Sequence, residues 1–403
     1  MNYEIIVIGG GAAGFFTAIN AAELKPSAKI LILERGKDVL TKVRISGGGR
    51  CNVTHAEFIP NNLIKNYPRG EKELRGPFHQ FMTGDTIAWF EERGVELKTE
   101  EDGRMFPVSD TSETIINCFL AEVQRLKIDV RKSETVKTIR DEEDFWEIET
   151  SKATYSAEKI VIATGSNPRI WKLLEQLGHK ITPAVPSLFT FNIEDKRIKE
   201  LPGISTYAEV KVQGEKLQEE GPLLITHWGL SGPAILKLSA WGARFLNKRN
   251  YQFKIAVNWL PGSSSEEVLE NLKQLKIALA RQQVAKNAQF ELPKRLWQSL
   301  AEAAGITERE TWANLNKSQL LAFTSQLTRA EFEVNGKSTF KEEFVTAGGV
   351  DLKEVNFKTF ESKLRKNLVF AGEVLNIDAV TGGFNFQNAW TGGFIAAKAV
   401  AAK

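Results

Sequence analysis

The residues whose types and spacing are best suited to chemistry are glycines near the start of the chain. Gly9, Gly11 and Gly14 form a G-x-G-x-x-G turn that encloses Ala12 and Ala13. The first glycine permits a tight turn, the second lets backbone approach a phosphate, and the third lets a helix pack closely on a strand. A helix opening at Ala12 would aim its free N–H groups at a dinucleotide pyrophosphate. Glu34 stands 20 residues after Gly14, where a carboxylate accepts from ribose hydroxyls and repels a 2′-phosphate. Arg35 is grouped with it as a cofactor contact. This much serves NAD as well as FAD.

Two further clusters tilt the choice to FAD. Lys42 precedes Ser46-Gly47-Gly48-Gly49-Arg50-Cys51-Asn52, in which three bare glycines let a ring carbonyl or phosphate reach backbone N–H groups. Lys42 and Arg50 add positive charge that would stabilise an anionic reduced flavin. Far along the chain, Gly372-Glu373 follows an apolar run, and Gly382-Gly383-Phe384-Asn385 offers open backbone and an amide to a flavin pyrimidine edge. The turn Thr164-Gly165 ends a late buried strand, and Val136 is either a backbone contact to adenine or a plain core valine. A site assembled from both ends of the chain suits a tightly held flavin.

Candidates for the chemical step are fewer. His227, in Thr226-His227-Trp228-Gly229, is the best general acid or base by residue type, with a structural histidine as the competing reading. Arg50 is the second candidate, as an electrostatic group. Cys51 and Cys118 form no C-x-x-C pair, so dithiol exchange is unsupported and a small buried hydrophobe is the expected role for Cys51. No metal-ligand spacing is present.

The elements that must position these residues follow from pattern. Glu4 to Ile8 and Lys29 to Leu33 read as strands buried on both faces, joined by a helix over Ala12 to Leu24. Helical patterns follow at Gly84 to Arg93 and Ser112 to Leu126. Asp129 to Val136, Phe145 to Thr150 and Ala153 to Ser156 read as a small meander leading into a strand at Lys159 to Ala163. From Leu188 the chain alternates strand-like runs with helical periodicity at Ser265 to Lys286 and Pro293 to Leu327. A strand at Ala330 to Val334 and the segment Glu343 to Val350 return it to the first domain. The end reads as a strand at Asn367 to Ala371, a glycine loop, and a helix after Asn388. The predicted class is α/β, with a Rossmann-type FAD domain from residues 1–187 and 346–403. An inserted β-barrel-like substrate domain fills 188–345, with a helical part at about 264–328.

Composition narrows the function classes. The 403 residues carry 53 Lys and Arg against 50 Asp and Glu, a net of +3, so no strong field favours nucleic acid. No run reaches the ~18 apolar residues of a membrane span, and no charged leader precedes the first strand, so a cytoplasmic location is expected. The expected partner is a small-molecule substrate; the oligomeric state is left open.

The strings Ile45 to Thr54 (ISGGGRCNVT), Thr226 to Leu236, Thr346 to Val350 and Ala371 to Ala389 together resemble FAD-dependent flavoproteins of the aminoacetone oxidase and 3-dehydro-bile-acid reductase type. The resemblance spans almost the whole chain. It implies FAD and an inserted domain with a barrel and a small helical part, while members differ in reaction. One departure is Ser166 after Ala163-Thr164-Gly165, where similar proteins carry a second glycine.

With one dinucleotide fingerprint, NAD(P)H would bind transiently, as reductant. Two enzyme readings stand: an amine oxidase, or an NAD(P)H-dependent reductase of an unsaturated compound. The alternatives are an FAD-dependent tRNA-modifying protein and a flavin-binding regulator without turnover.

Overall fold

A computed structural model describes residues 2–339 and 345–402. Its contacts divide the chain into two compact units, Met1–Val185 with Lys341–Lys403, and Pro186–Phe340. The expected boundaries at 187/188 and 345/346 lie within five residues of these. Residues 343 and 344 of the expected Glu343 to Val350 segment fall outside the described residues.

The first unit is built on a parallel sheet. Asn2–Ile8 pairs in parallel with Ile30–Leu33 on one side and Thr154–Ile162 on the other. Leu368–Phe370 extends the sheet beyond Thr154–Ile162, and Asp129–Arg131 extends it beyond Ile30–Leu33. Ile5, Ile6, Val7, Leu31, Ile32, Ile160, Val161 and Ile162 are fully buried, as continuous β-branched runs covered on both faces must be. Three sequence expectations need correction. Asp129–Arg131 is the edge of the parallel sheet, and the meander begins instead with the Val136–Glu142 strand. The two short strands expected at 153–163 are one, Thr154–Ile162, which leaves the meander and enters the parallel sheet. The last helix starts at Phe384 and runs to Ala401, four residues before the expected end of the loop at Asn388.

The two ends of the chain pack directly. The helix Ala12–Leu24 lies along Phe384–Ala401, where a side chain at Gly393 would sit 3.1 Å from the Ala13 carbonyl oxygen and 3.2 Å from the Thr17 hydroxyl. Small residues at this seam let the backbones approach. Beside it Phe16 packs on Trp89 and Trp390 with ring centroids 4.6 and 5.3 Å apart, which locks the helix pair with large apolar groups.

The second unit holds a seven-stranded antiparallel sheet, counted among the described residues. Its path runs from Ala330–Asn335 through Gln252–Asn258, Ser205–Val212, Gln218–Thr226, Gly229–Ser231 and Thr190–Asn192 to Lys337–Ser338. Both ends of the path come from one stretch of chain, so the sheet curls back on itself. The helix Pro233–Lys248 covers it with Ala234, Ile235, Leu238 and Leu246 buried. The helical part comprises Ser265–Ala278, Lys294–Ala303 and Lys317–Thr328. Capping boxes at Ser264/Glu267 and Asn316/Gln319 set two of their starts, and the second of these splits the single helical run expected at 293–327. Trp297, Trp312 and Phe323 fill the space among them.

Candidate functional site

The site of the first unit forms at the C-terminal ends of three adjacent parallel strands, Asn2–Ile8, Thr154–Ile162 and Leu368–Phe370. In open α/β sheets this edge is where ligands collect. A β-carbon at Gly14 would lie 1.9 Å from the Gly9 carbonyl oxygen, so only glycine lets the helix turn this tightly off the strand. Gly11, by contrast, has nothing within 4 Å of such a position. Ala12 and Ala13 open the helix, and Gly11 is its N-cap without a side-chain partner, so its first N–H groups are available to an anion.

Glu34 is used locally as well. Gly10 N–H donates to one carboxylate oxygen at 2.8 Å and Gly36 N–H to the other at 2.6 Å. Each oxygen keeps a lone pair for a ribose hydroxyl. Arg35 is exposed beside it. Val136 is buried at the start of the meander, where its neighbour Glu134 accepts from the Thr150 and Tyr155 hydroxyls.

On the opposite flank, Lys42 pairs with Glu373 at 2.6 Å across 331 positions. The Glu373 carboxylate lies 3.7 Å from where a side chain at Gly165 would begin, and Gly372 abuts Ala13. Lys42, Gly165 and Glu373 are therefore neighbours, with Thr164 leading into the same turn. The second glycine cluster is a kink inside the Thr41–Gly49 helix. Ser46 turns extended and Gly47 and Gly48 turn left-handed, which frees backbone groups that a regular helix would consume. Gly48 and Gly49 have open space where a side chain would be.

The C-terminal loop is fastened to residues from the N-terminal half. The Asn52 amide nitrogen donates to the Thr54 and Met105 carbonyls at 3.0 and 3.3 Å, and its oxygen accepts from Gly383 N–H at 3.0 Å. A side chain at Gly383 would meet the Thr54 carbonyl oxygen at 2.5 Å. His55 contacts the Gly382 carbonyl at 3.0 Å through Nδ1 and lies against Phe384 with ring centroids 4.5 Å apart. Tyr67 donates to the Phe384 carbonyl at 2.6 Å, and Thr54 and Thr86 donate to the Gln387 amide oxygen at 2.6 and 3.0 Å. Arg69 grips the fully buried Asp378 through two hydrogen bonds. Sequence reasoning missed His55, Tyr67, Arg69, Asp378 and Gln387, whose contacts join segments some 300 positions apart.

Asn385, Arg50 and His227 differ in how the structure engages them. Asn385 closes the loop on itself: its oxygen accepts from Ala379 N–H at 3.0 Å and its nitrogen donates to the Ala379 carbonyl at 3.2 Å. Arg50 reaches Glu100 at 2.6 Å and Asp110 at 3.5 Å and covers the Phe106 ring at 3.9 Å, so its charge is spent on carboxylates. His227 is exposed at a hairpin tip in the second unit, beside Trp228, with no hydrogen bond or ion pair to any described residue. Cys51 is fully buried, and burial pushes its thiol up to about 12, against a lesser pull from Ser46.

The residues present fit an extended dinucleotide. Gly11, Gly48 and Gly49 each have open space where a side chain would stand, and Asn388, 1% exposed in the closing helix, has neither end of its amide hydrogen-bonded to a described residue. An amide left so costs free energy unless a partner arrives. Among the described residues no group of three or more His, Cys, Asp or Glu could hold a metal, and no helix is long and apolar enough to cross a membrane.

The family model of the HI0933-like protein Rossmann domain matches residues 3–399. A ribosomal RNA dihydrouridine synthase of Haemophilus influenzae is 29% identical, covering 98% of this chain and 98% of its own. The 3-dehydro-bile acid delta(4,6)-reductase of Clostridium scindens is 26% identical, covering 99% of each. In fold, the chain is similar to the 3-ketosteroid-delta4-(5alpha)-dehydrogenase of Rhodococcus jostii RHA1, with a TM-score of 0.52 at 12% identity over 100% of this chain and 97% of that one. The chain belongs to the HI0933-like family of Rossmann-domain FAD oxidoreductases.

Proposed function

We propose that this protein saturates a carbon–carbon double bond conjugated to a carbonyl, with FAD as its resident cofactor and NAD(P)H as the transient reductant. The observation that carries this reading is a bond change common to two relatives with very different substrates. Dihydrouridine differs from uridine by one saturated ring bond adjoining a carbonyl, and a 4,6-diene in a 3-dehydro bile acid is conjugated to the 3-keto group. The net reaction consumes one NAD(P)H and one proton and yields the saturated carbonyl compound and NAD(P)+. When bound, FAD supplies the two-electron carrier that passes hydride from nicotinamide to the carbon β to the carbonyl.

The protein's own part is to hold and to exclude. The helix start at Ala12 holds negative charge, and the Lys42–Glu373 pair lies beside the Gly165 turn. Glu34 props the turn that shapes this cradle. Cys51, buried and firmly protonated, takes no part in electron transfer through sulfur. Oxidation of an aminoacetone-type amine has weaker support, since neither of these relatives is named for it.

The test is anaerobic half-reaction spectroscopy of the purified flavoprotein. NADH or NADPH should bleach the flavin, and a conjugated enone or a uridine-containing RNA should restore its colour without oxygen. Bleaching by aminoacetone alone, with peroxide released in air, would overturn the reductase reading.

A further inference from the structure

Gly382 and Gly383 flank one peptide bond in the loop that starts the Phe384–Ala401 helix, and both have positive φ, 132° and 95°. A peptide between two glycines meets the least steric resistance to rotation of its plane, so the loop alone does not fix its direction. Two side chains from one short stretch of the N-terminal half do. His55 contacts the Gly382 carbonyl at 3.0 Å through Nδ1, and a carbonyl only accepts, so Nδ1 carries a proton. The Asn52 amide oxygen accepts from Gly383 N–H at 3.0 Å. Because the peptide is planar, its carbonyl and N–H point opposite ways, and these two bonds together hold its rotation.

The His55 ring is itself held. It lies against the Phe384 ring with centroids 4.5 Å apart, and the Phe384 carbonyl accepts from Tyr67 at 2.6 Å. A β-carbon at Gly103 would stand 2.6 Å from Nε2, so the turn facing that side of the ring has room for glycine alone. What these contacts hold is a helix start. Gly383 is the N-cap of an 18-residue helix and offers no side chain to the N–H groups that follow. Of the four N–H groups that no helical carbonyl serves, that of Gly383 is taken by Asn52, and those of Phe384, Asn385 and Phe386 make no hydrogen bond to any described residue. One turn on, the Asn388 side chain leans back toward the helix start, 1% exposed and with both ends of its amide unpaired among the described residues. Three unused donors and an unsatisfied buried amide at one end of one helix suit a polar, electron-rich ligand, and FAD is the cofactor of the family.

We infer that His55 is a positioning residue for the flavin: by fixing the Gly382–Gly383 peptide it holds the N–H groups of Phe384, Asn385 and Phe386 at the pyrimidine edge of the ring, and so favours the reduced cofactor. Reduction places negative charge on that edge, and donors already in place stabilise it without reorganising. Donors on a peptide free to swing lose part of that effect. His55 touches no reacting atom and acts through the backbone alone. The inference rests on FAD as the resident cofactor and is independent of which compound receives the hydride.

The test is the two-electron midpoint potential of the flavin-loaded protein, measured by anaerobic titration with dithionite against reference dyes. His55→Leu keeps the bulk and deletes the donor, and should shift the ratio of reduced to oxidised flavin about tenfold toward oxidised, about 30 mV. His55→Asn puts an amide nitrogen where Nδ1 stands and should return that ratio to within about twofold of the parent. Gly103→Ala reaches the same hydrogen bond from the other side, because its methyl displaces the ring, and should shift the potential in the same direction as His55→Leu. The visible spectrum and a urea melt of each variant verify flavin loading and fold. A parent-like potential in flavin-loaded His55→Leu overturns the inference, and where that variant keeps no flavin a parent-like Gly103→Ala does so. His55→Asn shifting as far as His55→Leu also overturns it, since the bulk of the ring and not its N–H would then be at work. Dithionite keeps the readings separate: a loaded protein that NAD(P)H does not bleach sinks the reductase reading and leaves the potentials measurable, whereas a parent protein that takes up no FAD overturns both.

Discussion

Arg69 and Asp378, 309 positions apart, form a two-pronged ion pair in which the carboxylate has no exposed surface. Asp378 belongs to the loop that leads into Gly382 and Gly383, so the pair ties the polar N-terminal segment to the C-terminal half of the site. Removing one partner of such a pair strands a buried charge. Arg69→Gln should lower unfolding stability by about 3 kcal/mol and loosen the flavin, read by urea melts and by flavin lost on gel filtration. An unchanged melt together with full retention would show that the pair does not hold the loop.

Gly11 and Gly14 should respond in opposite ways, although both belong to one fingerprint. Gly14→Ala forces a methyl into the Gly9 carbonyl and should unfold or insolubilise the protein. Gly11 has φ −95° and open space, so Gly11→Ala should keep the apoprotein within about 1 kcal/mol of its stability. It should nonetheless weaken FAD binding at least tenfold, because the methyl occupies room reserved for phosphate. Titration of apoprotein with FAD measures this, and equal affinity would place the pyrophosphate elsewhere.

His179 gives the fold a pH dependence. Its ring is buried, with Nδ1 2.9 Å from Glu354 and Nε2 3.0 Å from the Ser362 hydroxyl. Burial lowers its pKa, with Glu354 opposing in part. The unfolded chain therefore binds more protons than the folded one between the lowered value and about 6.5, and stability must rise with pH across that window. The contribution is complete above about 6.5 and is lost as pH falls below it. Urea midpoints of the parent and His179→Gln at pH 5 and pH 8 should show a smaller change in the variant.

Neither cysteine should behave as a reactive thiol. Burial pushes Cys51 up to about 12 and Cys118 up to about 11. Iodoacetamide at pH 8 should leave both unlabelled in the native protein and label both in urea, as read by mass spectrometry. Cys51→Ala should retain NAD(P)H-driven flavin reduction, and loss of that step with the flavin still bound would bring sulfur chemistry back.

Much of this architecture was legible because it depends on local rules. Ile5 to Ile8 and Ile30 to Leu33 are apolar runs with one solution, a strand covered on both faces, and Gly14 admits no other residue. Asp129–Arg131 was misassigned because three residues with two charges carry no periodic signal; its place is set by Leu31, Ile32 and Leu33 alongside it. The six-residue return of Asn385 to Ala379 leaves no pattern in the chain. The Phe384 helix start was hidden for a related reason, since two preceding glycines read as loop until Asn52 is seen to accept from Gly383 N–H. Arg69 and Asp378 were beyond reach, because an ion pair over such a separation follows from tertiary packing alone.

In the second unit Thr190 pairs with Ser338, so the first and last strands of the insert lie side by side. These two strands are held together within the unit itself, whatever the length of chain between them. Closing a loop costs entropy according to the distance its ends must bridge, and here the inserted fold itself has already bridged it. Lengthening a segment between these strands would therefore add little closure entropy to the unit.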